Sequence, residues 1–273
     1  MRTLAAIVRS SHPGPTLAVT TLSFLLAIAF GLPAAHATAV VLAVMVNQVA
    51  VGVSNDLLDA PRDRRAGRGD KPLASGELSP SVARWVVVLA AGLSLGLSLW
   101  VDPMVALWQA VFLGAGLAYN FGLKATVFSA LSYAIGFGSL PILVSMAAEP
   151  ATWPPLWVVL VGASLGVSAH FANVLPDSDS DRLEGVRGLP QRLSRPVVAL
   201  VIVALTVFSS ILLLIGAGGD ALVATVLAAL FASSLAIWAG LLALWPRPTI
   251  WPFRLSMLAA LIIALGLVFA VSG

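Results

Sequence analysis

Cysteine is absent from all 273 residues, which removes disulfides, thiolate metal sites and cysteine nucleophiles together. Charge is scarce as well: 10% of the residues are Asp, Glu, Lys or Arg, 59% are hydrophobic, and the mean hydropathy is +1.00. Soluble domains carry about 25% charged residues, so this composition excludes a soluble domain and indicates a polytopic membrane protein. The 12 acidic residues are clustered, and the net charge of +3 with pI ≈ 10.0 comes from arginine-rich loops. Nucleic acid is therefore not the expected partner; membrane lipids are.

What is there is a series of apolar runs. Stretches long enough to cross ~30 Å of hydrocarbon fall at roughly 15–34, 36–54, 80–101, 104–123, 126–147, 154–174, 196–217, 220–244 and 251–272. Pro33, Pro103, Pro154, Pro155 and Pro196 mark turns between them. The expected fold class is all-α: a multi-pass bundle of nine transmembrane helices around a central cavity, forming a single domain over 1–273.

Lys and Arg occupy alternate loops. They precede the first run and follow the second, fourth, sixth and eighth, whereas the loops around Leu32, Asp102, Glu149 and Asp220 have none. Short cytoplasmic loops retain positive charge, so the N-terminus is expected in the cytoplasm of a cell-membrane protein. Arg2, Arg9, the first apolar run and the small residues at 34–37 also fit a cleavable signal peptide, which would leave eight helices.

The charged residues concentrate where two of these runs end. Asn55, Asp59 and Asp63 stand four apart; on a helix they drift only ~80° while climbing ~12 Å, so one face presents all three. The pattern returns as Asn173, Asp177 and Asp181 at the end of the sixth run. This repeat suggests two related halves, about 15–123 and 126–244, plus a last helix at 251–272. The loop 55–79 also holds Arg62, Arg64, Arg65, Arg68 and Lys71; the loop 173–195 also holds Arg182, Arg187, Arg192 and Arg195. Carboxylate and amide oxygens suit Mg2+, which typically completes its shell with water and substrate phosphate, and nearby Arg and Lys suit the remaining phosphate oxygens. The implied ligand is a metal-bound diphosphate. The plainer alternative, surface loops whose charges pair internally, does not explain why the four-residue spacing occurs twice.

With these motifs the chain resembles the UbiA superfamily of intramembrane prenyltransferases over nearly its whole length. The first signature continues into Lys71, Pro72, Ser75 and Gly76, and the second into Gly185, Arg187, Leu189 and Pro190. A Tyr and a Lys between the fourth and fifth helices match Tyr119 and Lys124. The superfamily commonly has Arg at the place of Lys71 and often Asp at that of Asn173. The resemblance implies Mg2+ held by Asn55, Asp59, Asp63, Asn173, Asp177 and Asp181, with the four aspartates and Tyr119 in the catalytic set. It also implies a polyprenyl diphosphate donor neutralised by Arg68, Lys71, Lys124 and Arg187. The prenyl group would pass to an aromatic or other lipophilic acceptor on the cytoplasmic side of the membrane.

Asn120 and His170 are further candidates to line the cavity and bind substrate. For His170, as for Asn47 and Gln48, an interhelical hydrogen bond is the competing role. Phe112, Phe121, Phe128 and Phe171 are candidates to pack an isoprenoid, against ordinary core packing. Trp100, Trp153, Trp245 and Trp251 sit near expected helix ends, as interfacial indoles do. Two other activities fit the same motifs: phosphoribosyl-type transfer from a sugar diphosphate to polyprenyl phosphate, and lipid binding or transport without catalysis.

Overall fold

Prolines and short polar side chains start most helices of the computed structural model, which describes residues 2–178, 181, 185–218, 221–245, 247 and 249–271. Pro80 and Pro103 occupy first-turn positions, where the missing N–H has no helical partner to lose; Ser79 and Asp102 accept from the N–H groups of Val82 and Met104. The helices are α1 (Arg2–Ser10), α2 (Pro13–Ala29), α3 (Ala34–Arg65), α4 (Pro72–Ser75), α5 (Pro80–Val101) and α6 (Pro103–Asn120). They continue with α7 (Ser129–Ser145), α8 (Leu156–Val174), α9 (Arg195–Gly216), α10 (Leu222–Ala243) and α11 (Trp251–Val271). No strand occurs among the described residues.

Each apolar run expected from the sequence falls on one of the long helices. By length and composition six of them, α3, α5, α8, α9, α10 and α11, are able to cross a membrane, or seven if α1 and α2 are taken as one span bent by 66°. The bend is at His12, whose φ of +52° is left-handed backbone. The first acidic motif does not begin a loop, as expected, but lies within a helix: α3 is 32 residues long and continues to Arg65 through Pro61. Proline there removes a single N–H donor, leaving the rest of the helix ladder available.

From α2 onward the long helices form a ring in chain order, and α11 closes it by packing on α2. Small residues let neighbours approach: the Cβ position of Gly162 on α8 lies 2.4 Å from the Phe137 carbonyl of α7, so no other residue fits there. The outer surface exposes Trp85, Leu89, Leu93, Leu200 and Val223, an apolar exterior suited to lipid. Trp100, Trp153, Trp245 and Trp251 are exposed too.

Candidate active site

The helical period decides which acids of α3 face inward. Asn55, Asp59 and Asp63 line a cavity of about 660 Å³, together with Asn173, Asp177 and Asp181. Asp56 is rotated away from this face; it is buried and held by His12 Nε2 at 3.1 Å and Lys71 Nζ at 3.2 Å. Lys71 begins the single turn α4, and Gly76 ends it with φ +83°. Its Nζ lies 3.0 Å from Asp63 Oδ2 and so ties the loop back onto α3. Burial alone would lower the Lys71 ammonium, but Asp56 and Asp63 outweigh it and hold Lys71 above its ordinary pKa.

Lys124 is positioned by the helix before it. Asn120 Nδ2 donates to the Val51 carbonyl and to Ser54 Oγ, both at 2.8 Å, clamping the end of α6 to α3. The 3₁₀ turn Leu123–Ala125 then brings Lys124 Nζ to Asp59 Oδ1 and, at 3.4 Å, to Asn55 Oδ1. Asn120 thus lines the cavity with its amide engaged in joining two helices.

The second motif follows α8 through the 3₁₀ turn Leu175–Asp177. Gln191 donates to Asp181 Oδ2 at 3.1 Å, Arg62 Nη1 lies 3.7 Å from Asp181 Oδ1, and Arg68 Nη1 lies 4.0 Å from Asp177 Oδ1. Burial pushes the Asp181 carboxyl above its ordinary pKa, despite Gln191 and Arg62. A buried serine docks the returning loop: Ser129 Oγ accepts from the Leu189 N–H at 2.9 Å and is 3.0 Å from His170 Nε2. Gly188 is required in the same contact, because a Cβ there would stand 2.5 Å from the Lys124 carbonyl.

Below the charged residues the wall turns aromatic and then aliphatic. Tyr119 and Tyr133 meet edge-on at 5.1 Å. His170 stacks behind Tyr133 at 4.5 Å. Deeper lie Phe112, Phe137, Leu140, Val161 and Leu267.

Eleven of the thirteen residues expected at the site line this one cavity. His170 is fully buried in contact with Ser129, and Arg187 is exposed on the returning loop; neither is among the lining residues. Of the four phenylalanines considered, Phe112 lines the cavity, Phe121 and Phe128 are exposed, and Phe171 packs with Val198 and Ile202. Arg182 lies outside the described residues. The sequence reading missed Arg62, Tyr133 and Gln191, polar lining residues that stand beside the expected ones. Arg62 had a signal, its place three residues after Asp59 on the same helix. Tyr133 is one of only two tyrosines in the chain.

Among the described residues no three carboxylate or imidazole groups converge closely enough to hold a metal ion. Each inward carboxylate instead touches a side-chain cation: Asp59 has Lys124 and Arg62, Asp63 has Lys71, Asp177 has Arg68 and Asp181 has Arg62. The donor set is nonetheless all oxygen and drawn from both motifs around one opening, which is the chemistry Mg2+ takes.

A sequence model of the UbiA prenyltransferase family matches residues 16–262. No curated protein matches the chain. Among solved structures, the apo UbiA homolog from Aeropyrum pernix K1 superposes with a TM-score of 0.76 at 19% identity, covering 93% of this chain and 96% of that one. A UbiA homolog from Archaeoglobus fulgidus bound to GPP and Mg2+ gives 0.70 at 18% identity, over 97% of this chain and 100% of that one. A digeranylgeranylglyceryl phosphate synthase gives 0.71 at 18%, over 99% of each.

Proposed function

Since the chain belongs to the UbiA prenyltransferase family and its apolar helices make it an integral membrane protein, we propose that it moves a prenyl group from a prenyl diphosphate to an aromatic or other lipophilic acceptor within the membrane. The observation behind this reading is the sorting of groups along one cavity, with carboxylates and cations at the opening and hydrocarbon beneath. A prenyl diphosphate has the same polarity, a charged head on an apolar chain.

In this reading Asp59, Asp63, Asp177 and Asp181, with Asn55 and Asn173, would hold Mg2+. Bound there, Mg2+ supplies a Lewis acid that withdraws negative charge from the leaving group. Arg68, Lys71 and Lys124 meet the diphosphate. The allylic C–O bond breaks and its electron pair leaves on the diphosphate oxygen. The carbon bonds to a nucleophilic atom of the acceptor, which then loses a proton. Cations already in place stabilise the charge as it grows on the leaving group. The apolar wall keeps water from the allylic cation, and the faces of Tyr119 and Tyr133 border the place where it forms. Arg187 lies outside the cavity here, so its contact with diphosphate requires the loop 185–190 to close inward.

The Archaeoglobus fulgidus homolog bound to GPP and Mg2+ supports the class of donor. The confinement of Lys and Arg to alternate loops supports an opening on the cytoplasmic side, and the repeated spacing supports two related halves that each contribute one acidic motif. A phosphoribose donor would need polar groups deep in the cavity, where Leu140, Val161 and Leu267 stand instead. A passive lipid carrier would have no use for so many convergent charges. The test is incubation of the purified protein in proteoliposomes with labelled GPP or longer prenyl diphosphates and a total lipid extract. Mg2+-dependent diphosphate release with label entering a lipid supports the reading; no release with any donor overturns it.

A further inference from the structure

The carboxylates lining the opening are Asp59, Asp63, Asp177 and Asp181, and the cations are Arg62, Arg68, Lys71 and Lys124. Counted with Asp56, which shares Lys71 with Asp63, these groups carry five negative and four positive charges, and every carboxylate at the opening already has a cation beside it. A divalent ion entering alone would have to compete with cations already paired to these carboxylates, and a diphosphate entering alone would add its negative charge to theirs. Together they nearly cancel. Arg62 holds a particular place in this balance because it touches both motifs: Nη2 is 3.2 Å from Asp59 Oδ2 and Nη1 is 3.7 Å from Asp181 Oδ1. The three side chains are 22%, 9% and 16% exposed, so water screens these contacts poorly.

Resting on the metal–diphosphate reading above, we infer that Arg62 is a built-in counter-ion that makes divalent-metal binding conditional on the diphosphate. With the site empty, its guanidinium neutralises Asp59 and Asp181 across the opening and opposes a metal ion there. When a diphosphate arrives, planar N–H donors that suit a carboxylate suit a phosphate equally well. Arg62 then turns to the phosphate oxygens, and Asp59 and Asp181 are released to the metal. The local sequence supports this arrangement, since Arg62 lies one turn beyond Asp59 on α3 and reaches it at i,i+3.

The test is Mn2+ binding by electron paramagnetic resonance on the purified protein, with and without an unreactive thiolodiphosphate analogue of GPP. In the unaltered protein the analogue should tighten Mn2+ binding on the order of tenfold to a hundredfold, the usual range for coupled sites. Arg62→Gln removes a positive charge beside the metal position. It should bind Mn2+ alone roughly tenfold or more tighter than the unaltered protein, with a smaller gain on adding analogue. Arg62→Lys keeps the charge and should bind Mn2+ alone as weakly as the unaltered protein, which separates charge from a change of packing. If the unaltered protein binds Mn2+ equally tightly with and without analogue, or Arg62→Gln fails to tighten it, the inference is overturned while the metal site stands. If Mn2+ binds under neither condition, the metal reading falls and this inference with it. An absence of coupling in the unaltered protein overturns the inference even if Arg62→Gln does not fold, and Arg62→Met then serves as the second charge-removing variant.

Discussion

Lys71 and Asp63 form a largely buried ion pair across the turn that follows α3, with Nζ 3.0 Å from Oδ2 and side chains only 16% and 6% exposed. The same ammonium also serves Asp56, so one cation compensates two buried carboxylates. Lys71→Ala should therefore both weaken the fold and reduce donor use. Removing one partner of a buried pair costs about 3–5 kcal/mol, and a charge-assisted contact with phosphate contributes about 1.5–3 kcal/mol. Thermal unfolding in detergent should show the first effect, and a fall in kcat with a rise in donor KM the second. Lys71→Arg should recover much of both. A rise in acceptor KM alone would refute the diphosphate role.

Asp59→Asn and Asp181→Asn keep the shape of each side chain while halving its capacity as a metal ligand. Each should abolish diphosphate release and leave the helical circular-dichroism spectrum unchanged. Turnover within a few-fold of the unaltered protein in both variants would remove them from the proposed metal set.

Ser129 is a junction rather than a reagent: its hydroxyl meets both Leu189 N–H and His170 Nε2 in a fully buried position. Ser129→Ala leaves those partners buried without it, at a cost of about 1–3 kcal/mol. A lowered melting temperature is expected, together with slower turnover, because Leu189 anchors the loop that carries Gln191 to Asp181. Unchanged stability would show that the loop is docked by other contacts.

The absence of cysteine makes the proposed topology directly measurable. Ser75, Ser194 and Ala151 are exposed in three different connections. Single cysteines at Ser75 and Ser194 should react with a membrane-impermeant reagent from one side, and one at Ala151 from the other. Labelling of the first two from opposite sides would be incompatible with a shared opening.

The sequence by itself determined the class of protein, the positions of the long helices and the two acidic motifs. Those features are local: hydropathy over some twenty residues sets a span, and a four-residue spacing sets a helical face. Local spacing also accounts for Asp59 and Asp63 sharing one face of α3 while Asp56 turns aside. Only the tertiary structure decided which partners the site residues meet. Asn120 reaches across to Val51 and Ser54, His170 is held behind Tyr133, Arg187 stays at the surface, and Arg62 spans to Asp181. Each outcome depends on where a second helix or a returning loop lies against the first. That placement is fixed by close packing at positions such as Gly162 and Gly188, which no periodicity within a single helix encodes.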